Sequence, residues 1–292
     1  MSKTLKIGFI GAGGIARYQA EMLKKVAGAE VIAAADVSDG ALEQFKKQIP
    51  TTTHTFKDWK QLLEMKEIEA VSVCTPNKMH CEPTIAALKA GKHVLVEKPM
   101  AMNAEEAKAM VEAAKKAKKL LQIGFQWRFT SAAQLLHKKV AAGDFGKIVY
   151  VRCQALRRRG IPSWGVFGRK DLQGGGPMID IGVHILEMAH FIIGAPQAVS
   201  ARGSCYTYIG NKKPETACAW GAWDYKTYTV EDLAVGFIKF KGGESLVIES
   251  SFAAHIEKDV FNIQIMGTKG GAVYDPLQIF TDDGGYMWNQ VP

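Results

Sequence analysis

Short, nearly continuous runs of hydrophobic residues recur through the first 125 positions of the chain. These runs cover residues 5–10, 31–35, 70–74, 93–96 and 120–125. Between them, helical spacing of the apolar residues predicts helices that end near residues 27, 66, 91 and 119. Apolar strands alternating with helices are typical of a parallel sheet covered on both faces. The pattern predicts a doubly wound α/β domain over residues 1–125.

The segment after the first predicted strand has the pattern G-x-G-x-x-A, formed by Gly11, Ala12, Gly13, Gly14, Ile15 and Ala16. In this position Gly11 would make a tight turn, Gly13 would let the backbone approach a pyrophosphate, and Ala16 would allow close packing of helix on strand. The helix that follows would direct its free N–H groups at the phosphates. The sequence therefore predicts a dinucleotide site, and the domain is expected to be a Rossmann domain.

An acidic residue, Asp36, ends the second predicted strand, at the distance where a ribose-binding carboxylate is expected. A carboxylate there would bind the adenosine ribose and repel a 2′-phosphate, which favours NAD over NADP. Ser38 weakens that preference. The alternative reading of Asp36 is a helix cap.

From residue 126 onward the pattern changes to an α+β domain, which we expect to extend to residue 292. A helix over residues 131–142 precedes strands predicted at 147–157, 198–208, 232–240, 245–252, 261–266 and 271–274. Glycine-rich residues 282–285 read as a hairpin turn, with a returning strand from residue 286. Residues 233–238 are apolar or small on both alternating faces, so the outer face of this sheet is expected to be covered by another subunit. Burial under the chain's own helices is the alternative.

A glycine triplet, residues 174–176, leads through Pro177 into a helix predicted to run to residue 193. Asp180, His184 and Glu187 have the spacing i, i+4 and i+7, which places them on one face of an otherwise apolar helix. This polar column would point into a substrate cavity, and the glycines would let another molecule approach the backbone. A buried histidine satisfied by its aspartate neighbour is the alternative.

Two further segments carry candidate ligand-binding residues. Lys98 follows the strand at residues 93–96, at the sheet edge where ligands bind in open α/β folds; a surface lysine is the alternative. Arg157 begins a run of three arginines that leads to Trp164. An arginine there would bind a phosphate, a carboxylate or hydroxyls, and Trp164 would stack on a sugar ring; a salt-bridged edge and a packed tryptophan are the alternatives.

Composition excludes several classes of function. The formal net charge of +8 lies largely on lysines of predicted helix surfaces, and without a nucleic-acid-binding motif it predicts no nucleic-acid partner. The five cysteines are scattered and form no C-x-x-C pair, which predicts reduced thiols, no metal site and a cytoplasmic protein. No signal peptide or membrane-spanning segment is predicted.

Taken together, these motifs resemble the glucose–fructose oxidoreductase / inositol dehydrogenase (GFO/IDH/MocA) family. The resemblance rests on residues 11–16, Thr75-Pro76-Asn77 with His80, residues 91–94, Glu97-Lys98-Pro99 and residues 174–184. It implies hydride transfer between a nicotinamide cofactor and a secondary alcohol or ketone of a sugar or cyclitol. It also implies an open-faced C-terminal sheet that assembles into a homo-oligomer, a dimer or tetramer.

The resemblance assigns roles to individual residues. Lys98, Asp180 and His184 match the catalytic set, and Gln126 lies in a segment, residues 126–129, that resembles the pocket lining beside the nicotinamide. Cofactor contacts fall on Gly11, Ala12, Gly13, Gly14, Ile15, Ala16, Asp36, Thr75, Pro76, Asn77, His80, Glu97, Lys98 and Gln126. Together with Arg157 and Trp164, which were singled out above from the arginine run itself, the expected substrate contacts are Arg128, Arg157, Trp164, Asp180 and His184.

Two assignments of the residue that accepts the proton of the reacting hydroxyl remain open. Histidine titrates near neutrality, so His184 would act as general base, with Asp180 orienting it and Lys98 stabilising the developing alkoxide. In the other version Lys98 carries the proton.

Rival functions are a redox-assisted glycosidase or lyase, and a regulator that binds NAD(H) without catalysis. Because family members extend further, we also expect a strand or helix to follow Pro292.

Overall fold

The computed structural model describes residues 4–216, 218 and 220–292, and the chain divides into two compact units, Met1–Gly124 and Phe125–Pro292. The N-terminal unit is built on a six-stranded parallel sheet. Its strands are β1 (Leu5–Ile10), β2 (Ala29–Ala35), β3 (His54–Phe56), β4 (Ala70–Val73), β5 (His93–Val96) and β6 (Leu121–Ile123). They are ordered β3-β2-β1-β4-β5-β6. This order places the crossover between β1 and β4, where doubly wound folds bind dinucleotides.

Helices cover both faces of this sheet. They are α1 (Gly14–Leu23), α2 (Asp39–Gln48), α3 (Trp59–Glu64), α4 (Cys81–Lys89) and α5 (Ala104–Ala117). On one face Phe45 of α2 packs with Phe9 of β1, and on the other Met110 of α5 packs in the cluster of Val71 and Val96. Strands β1, β2, β4 and β5 are largely buried on both faces, which is why their sequences are mostly apolar, whereas the edge strands β3 and β6 are more exposed.

The predicted domain differs from the structure at one step of the alternation. Helix α2 and the short strand β3 were not predicted, because α2 carries a glycine in its first turn and β3 is only three residues long. Asn103 caps α5, since its side chain accepts a hydrogen bond from the Glu106 N–H at 2.9 Å.

The C-terminal unit is built on an eight-stranded, mainly antiparallel sheet. Its strands are β7 (Ile148–Leu156), β8 (Ala198–Tyr206), β9 (Leu233–Phe240), β10 (Ser245–Ser251), β11 (Val260–Gly267), β12 (Gly270–Val273), β13 (Gln278–Asp283) and β14 (Tyr286–Gln290). The order is β14-β13-β12-β11-β7-β10-β9-β8, and the β7–β10 pair is parallel, with Cys153 beside Ile248. Strand β13 was not predicted, but Gly284 and Gly285 turn the chain into β14 with positive φ, as the hairpin required.

Helices α6 (Ser131–Ala141), α7 (Lys170–Gln173) and α8 (Val183–Ile192) complete this unit. Leu136 of α6 and Met188 of α8 are fully buried in one cluster with Val151 and Ile263 of the sheet. The opposite sheet face exposes Phe237 and Met266, and there Arg152 donates to Glu249. One face of the sheet is therefore covered by the unit's own helices and the other is open.

The helix predicted from Pro177 is not uniformly α-helical. Residues Met178–Gly182 form a π-helical turn, and α8 follows at Val183. The Ser250 hydroxyl, buried in β10, donates to the Pro177 carbonyl at the start of that turn. A 3.6-residue period cannot anticipate such a turn, so the prediction of a single α-helix was wrong.

Among the described residues, no helix is long and apolar enough to cross a membrane.

Candidate functional site

The glycine-rich loop follows β1 and leads into α1, for which Gly13 is the N-cap. Gly11 has a φ of +91°, and a Cβ atom there would meet the Cys74 carbonyl at 2.6 Å, so only glycine fits. A Cβ at Gly13 would meet nothing within 4 Å. The space over Gly13 is therefore open toward solvent, where a pyrophosphate would approach the free N–H groups of α1.

Asp36 is tied to the same loop. Its Oδ2 accepts a hydrogen bond from the Ala12 N–H at 2.8 Å, and its Oδ1 accepts one from the Ser38 N–H at 2.8 Å. The helix cap of α2 is Ser38, not Asp36. Each oxygen of a carboxylate has a second lone pair, so Asp36 can still accept hydrogen bonds from ribose hydroxyls.

His80 connects the ends of β4 and β5. The ring is fully buried, with Nδ1 2.7 Å from the Pro99 carbonyl and Nε2 2.9 Å from the Thr75 carbonyl. Burial lowers the pKa of His80, and the hydrogen bonds to the Pro99 and Thr75 carbonyls oppose that shift. His80 thereby holds Thr75 and the loop around Lys98 in place, and a direct contact of His80 with a cofactor stays a prediction.

Lys98 follows β5 and is half-buried. The neighbouring Glu97 carboxylate accepts hydrogen bonds from the Lys98 N–H at 3.1 Å and from the Gln19 amide at 2.6 Å. Burial raises the pKa of Glu97, and the bond from Lys98 opposes that shift. Glu97 thus fixes the backbone from which the Lys98 side chain departs.

The predicted cofactor residues of this unit lie in strand order along one sheet edge. Asp36 follows β2, the glycine loop follows β1, Thr75-Pro76-Asn77 follows β4 and Lys98 follows β5. Neighbouring strands are about 4.8 Å apart, so Lys98 lies about 10 Å along the edge from the glycine loop. This edge offers an extended row of ligand-binding positions.

In the C-terminal unit, Asp180 lies within the π-helical turn and His184 lies in the first turn of α8, and both are half-buried. The Phe125 ring contacts the His184 ring edge-on, with centroids 6.4 Å apart at 85°. π-helical turns occur frequently at functional sites because they redirect side chains. The structure therefore places the Asp180 carboxylate and the His184 imidazole on one short segment.

The glycine triplet does not leave room for a ligand. A Cβ at Gly176 would overlap the Glu231 carbonyl, and one at Gly175 would lie 3.5 Å from the Glu231 carboxylate and 3.0 Å from Ile179. Gly174, with a φ of +83°, ends α7. The expectation that another molecule approaches here was wrong, because the chain itself fills the space.

Arg157 directly follows β7 and lies beside Asp180, with Nη1 4.0 Å from Asp180 Oδ2. Its guanidinium also lies 4.3 Å from the Trp220 ring centroid and 5.5 Å from that of Phe252. Burial lowers the pKa of Arg157, and Asp180 and Asp259 oppose that shift. Trp164 is 56% exposed. Of the other two arginines, the Arg158 guanidinium donates to the Glu257 backbone carbonyl and the Arg158 backbone N–H to the Asp259 carboxylate, while the Arg159 guanidinium donates to the Ala254 carbonyl.

Arg128 and Gln126 lie in a 3₁₀ turn, Gln126–Phe129, where Gln126 is exposed. Arg128 forms an ion pair with Glu187 of α8, and its guanidinium lies 5.1 Å from the Phe191 ring centroid. Glu187, the third member of the polar column, therefore anchors this turn to α8. The role of Arg128 toward a substrate stays a prediction.

Sequence reasoning missed two residues that shape this region. Trp220 stacks on Arg157 but lies in a loop with no periodic pattern. Asp232 is 2% exposed, and its Oδ2 accepts the backbone N–H groups of Tyr208, Ile209 and Gly210 at 2.6–2.8 Å. The signal that could have identified Asp232 is a carboxylate at the start of an apolar strand.

The N-terminal unit fits a dinucleotide: the open space over Gly13, the N–H groups of α1 and the fixed carboxylate of Asp36 match its phosphates and ribose. Among the described residues no group of His, Cys, Asp and Glu has the arrangement of a metal site.

Comparisons with known proteins agree with this geometry. The sequence model of an oxidoreductase family with an NAD-binding Rossmann fold, GFO/IDH/MocA, matches residues 5–125, and the model of the GFO/IDH/MocA C-terminal domain matches residues 133–273.

Individual relatives cover nearly the whole chain. D-glucoside 3-dehydrogenase of Escherichia coli (strain K12) is 38% identical over 98% of this chain and 81% of its own length. Myo-inositol 2-dehydrogenase of Thermotoga maritima is 32% identical over 96% of this chain and 79% of its own. A structure of levoglucosan dehydrogenase in complex with NADH and L-sorbose is 26% identical, with a TM-score of 0.82 over 99% of this chain and 80% of its own.

Proposed function

The chain belongs to the GFO/IDH/MocA family of oxidoreductases, and from this premise we propose that it transfers a hydride between NAD and a secondary alcohol carbon of a sugar or cyclitol. Relatives named as dehydrogenases of a glucoside and of an inositol support this substrate class. The rival readings, a redox-assisted glycosidase or lyase and a regulator, are distinguished by the experiment below.

The observation that carries the proposal is the row of positions along the carboxyl edge of the N-terminal sheet. Asp36 would bind the adenosine ribose, the glycine loop the pyrophosphate, and Thr75-Pro76-Asn77 would continue toward Lys98. Bound NAD supplies the hydride acceptor. The Asp36 carboxylate would repel a 2′-phosphate, so we propose NAD and not NADP as the working cofactor.

The chain's own residues supply the proton and charge chemistry. The His184 imidazole takes the proton of the reacting hydroxyl as the hydride leaves its carbon. Asp180 accepts a hydrogen bond from the imidazole or from the neighbouring hydroxyl, and Arg157 keeps that carboxylate in place. The Lys98 ammonium donates to the reacting oxygen and stabilises the negative charge that develops on it.

The test is absorbance at 340 nm with NAD and then NADP across cyclitols, free sugars, glycosides, sugar phosphates and uronates. Lys98→Met and His184→Asn should each lower turnover by about 10²–10⁴-fold while NADH binding, read by fluorescence, stays within twofold. Product without net NADH would indicate the glycosidase or lyase. NADH binding with no turnover of any compound would indicate the regulator.

We also propose that the open face of the C-terminal sheet packs against a second copy of the chain. That face combines exposed Phe237 and Met266 with the Arg152–Glu249 ion pair, a mixture of apolar and polar contacts that suits a symmetric interface. Light scattering should give the mass of a dimer or tetramer, and Phe237→Glu should reduce it to that of one chain. A wild-type mass of one chain would contradict this proposal.

A cytoplasmic location completes the proposal. All five cysteines are free thiols, and reducing conditions keep thiols in that state. Thiol titration of the denatured protein from its native cells should give five reactive thiols; fewer would contradict it.

A further inference from the structure

A pair of aromatic rings, the exposed Trp164 and the half-buried Trp220, lies near the Asp180 segment. The Trp164 and Trp220 rings have centroids 5.4 Å apart and planes inclined by 33°, and Phe167 supports Trp164 edge-on at 6.4 Å. Trp164 remains 56% exposed, a large exposed fraction for a tryptophan already in contact with two aromatic rings. We call Trp164 and Trp220 the aromatic platform.

The platform is connected to the candidate catalytic carboxylate by direct contacts. Asp180 Oδ2 lies 4.0 Å from Arg157 Nη1, and the Arg157 guanidinium lies 4.3 Å from the Trp220 centroid. Trp164 contacts the same Trp220 ring, with centroids 5.4 Å apart. A ring stacked on Trp164 would therefore be a neighbour of the ring bound at Asp180, further along this series of contacts.

The Arg157 guanidinium is already occupied by contacts within the protein. It lies against two aromatic rings, faces Asp180 and donates to the Gly160 carbonyl at 3.1 Å. A guanidinium held in this way is poorly placed to receive a phosphate or carboxylate from a substrate. This favours an uncharged substrate over a sugar phosphate or a uronate.

Both tryptophans are held in place by hydrogen bonds of the backbone around them. The Ser163 hydroxyl donates to the Trp220 carbonyl, so the two loops are joined at the platform. Asp232 fixes residues 208–210, and Trp223 donates its indole N–H to the Gly210 carbonyl at 2.7 Å. The platform is therefore pre-organised, which lowers the entropic cost of stacking a ligand on it.

We propose that the aromatic platform is a subsite for a second ring, the sugar or aglycone attached to the sugar that is oxidised. The C–H face of a pyranose, or an aryl aglycone, stacks on Trp164 while the reacting ring lies at Asp180 and His184. The substrate class is then a neutral glycoside, not a free monosaccharide. This inference rests on the proposed function.

The experiment compares matched substrates that differ only in the second ring. The sugar of the panel that reduces the most NAD is offered as its methyl glycoside and as its 4-nitrophenyl glycoside; for a cyclitol, the pair is the cyclitol and its glycoside. In the wild type, kcat/KM should be about tenfold higher for the two-ring substrate. Trp164→Ala should remove this preference by lowering kcat/KM for the two-ring substrate about tenfold more than kcat/KM for the methyl glycoside.

Trp288→Ala is the matched control, because Trp288 is also exposed, at 52%, but lies on β14. It should leave the preference unchanged, and Trp164→Phe should retain part of it. Equal kcat/KM for both substrates in the wild type overturns the subsite, as does a preference that survives Trp164→Ala. The same holds if Trp164→Ala lowers the oligomeric mass, since Trp164 would then contact a second copy. Absence of NADH with every compound overturns the proposed function, and this inference with it.

Discussion

Residues 11–14 of the N-terminal unit and residues 174–176 of the C-terminal unit are both rich in glycine, but the space left by their missing side chains is used differently. Over Gly13 that space is open, and it borders the free N–H groups of a helix. At Gly176 it is filled by the backbone of Glu231. One segment makes room for a ligand and the other makes room for the chain itself.

The same difference extends to the two candidate sites. In the N-terminal unit, ligand-binding positions come from successive strand ends and are made largely of backbone. In the C-terminal unit, Arg157, Asp180, Trp220 and Asp232 come from distant parts of the chain, and side-chain contacts hold them. A site made of backbone tolerates many side-chain changes; a site made of side chains does not.

The largest expected effect comes from removing the anchor of the side-chain-built site. Asp232→Ala leaves the N–H groups of residues 208–210 without their acceptor, so the free energy of unfolding of the C-terminal unit should fall by about 3 kcal/mol or more. Denaturant unfolding checks this. Asp224→Ala, an exposed carboxylate in the same loop, should cost less than about 1 kcal/mol. Equal losses would contradict the anchoring role of Asp232.

The two glycine segments are compared directly by Gly176→Ala and Gly13→Ala. Gly176→Ala forces the methyl group onto the Glu231 backbone and should lower the free energy of unfolding by about 1–3 kcal/mol. Gly13→Ala should change it by less than about 1 kcal/mol but weaken NADH binding by about tenfold, because the methyl group occupies the open space. Unfolding curves measure the change in stability and fluorescence titrations measure the change in NADH affinity. If the Gly13→Ala protein bound NADH with the affinity of the wild type, the two glycine segments would not differ in the way described here.

A smaller effect is expected on cofactor choice. Asp36→Asn removes the charge that repels a 2′-phosphate, so the ratio of kcat/KM for NAD to that for NADP should fall by about tenfold. Asp39→Asn, which removes an exposed charge in the first turn of α2, is the control and should leave the ratio unchanged. A ratio that does not respond to Asp36→Asn would show that Asp36 only positions the loop.

The smallest effect concerns pH. Burial raises the pKa of Glu97 above its ordinary value of 4.5 in the folded protein, so protonation of this carboxyl favours the folded state. Its stabilising contribution is fully present below pH 4.5 and is lost as the pH rises through the folded pKa. The melting temperature of the wild type relative to Glu97→Gln should therefore rise as the pH is lowered. A difference that does not change with pH would contradict the buried-charge assignment.

The N-terminal fold was largely predictable because its signals are local. Strand β5 was predicted at His93–Val96, and the cap at Asn103 follows from residues next to one another. The two elements missed there are α2, which has a glycine in its first turn, and β3, which is too short for a periodic pattern. Local motifs encode strands, caps and the phosphate loop together.

The C-terminal site was predictable only in part. Asp180 and His184 were identified by their spacing, but the π-helical turn departs from the period on which that spacing relied. The stacking of Trp220 on Arg157 joins residues 63 positions apart in the sequence, and no local pattern reports it. The glycine triplet led to a wrong prediction because glycines in a sequence indicate that some group approaches the backbone closely, but they do not identify that group. Here the group is the backbone of Glu231.

The position of β7 has a consequence for how the molecule forms. Its two neighbours in the sheet, β10 and β11, begin at Ser245 and Val260, long after β7 ends at Leu156. During synthesis β7 therefore leaves the ribosome without either partner, while β1 pairs with β2 almost at once. Closing such long loops is entropically costly and slows folding. We expect the C-terminal unit to be the slow-folding half, and β7 to be the segment that chaperones must protect until the rest of its sheet arrives.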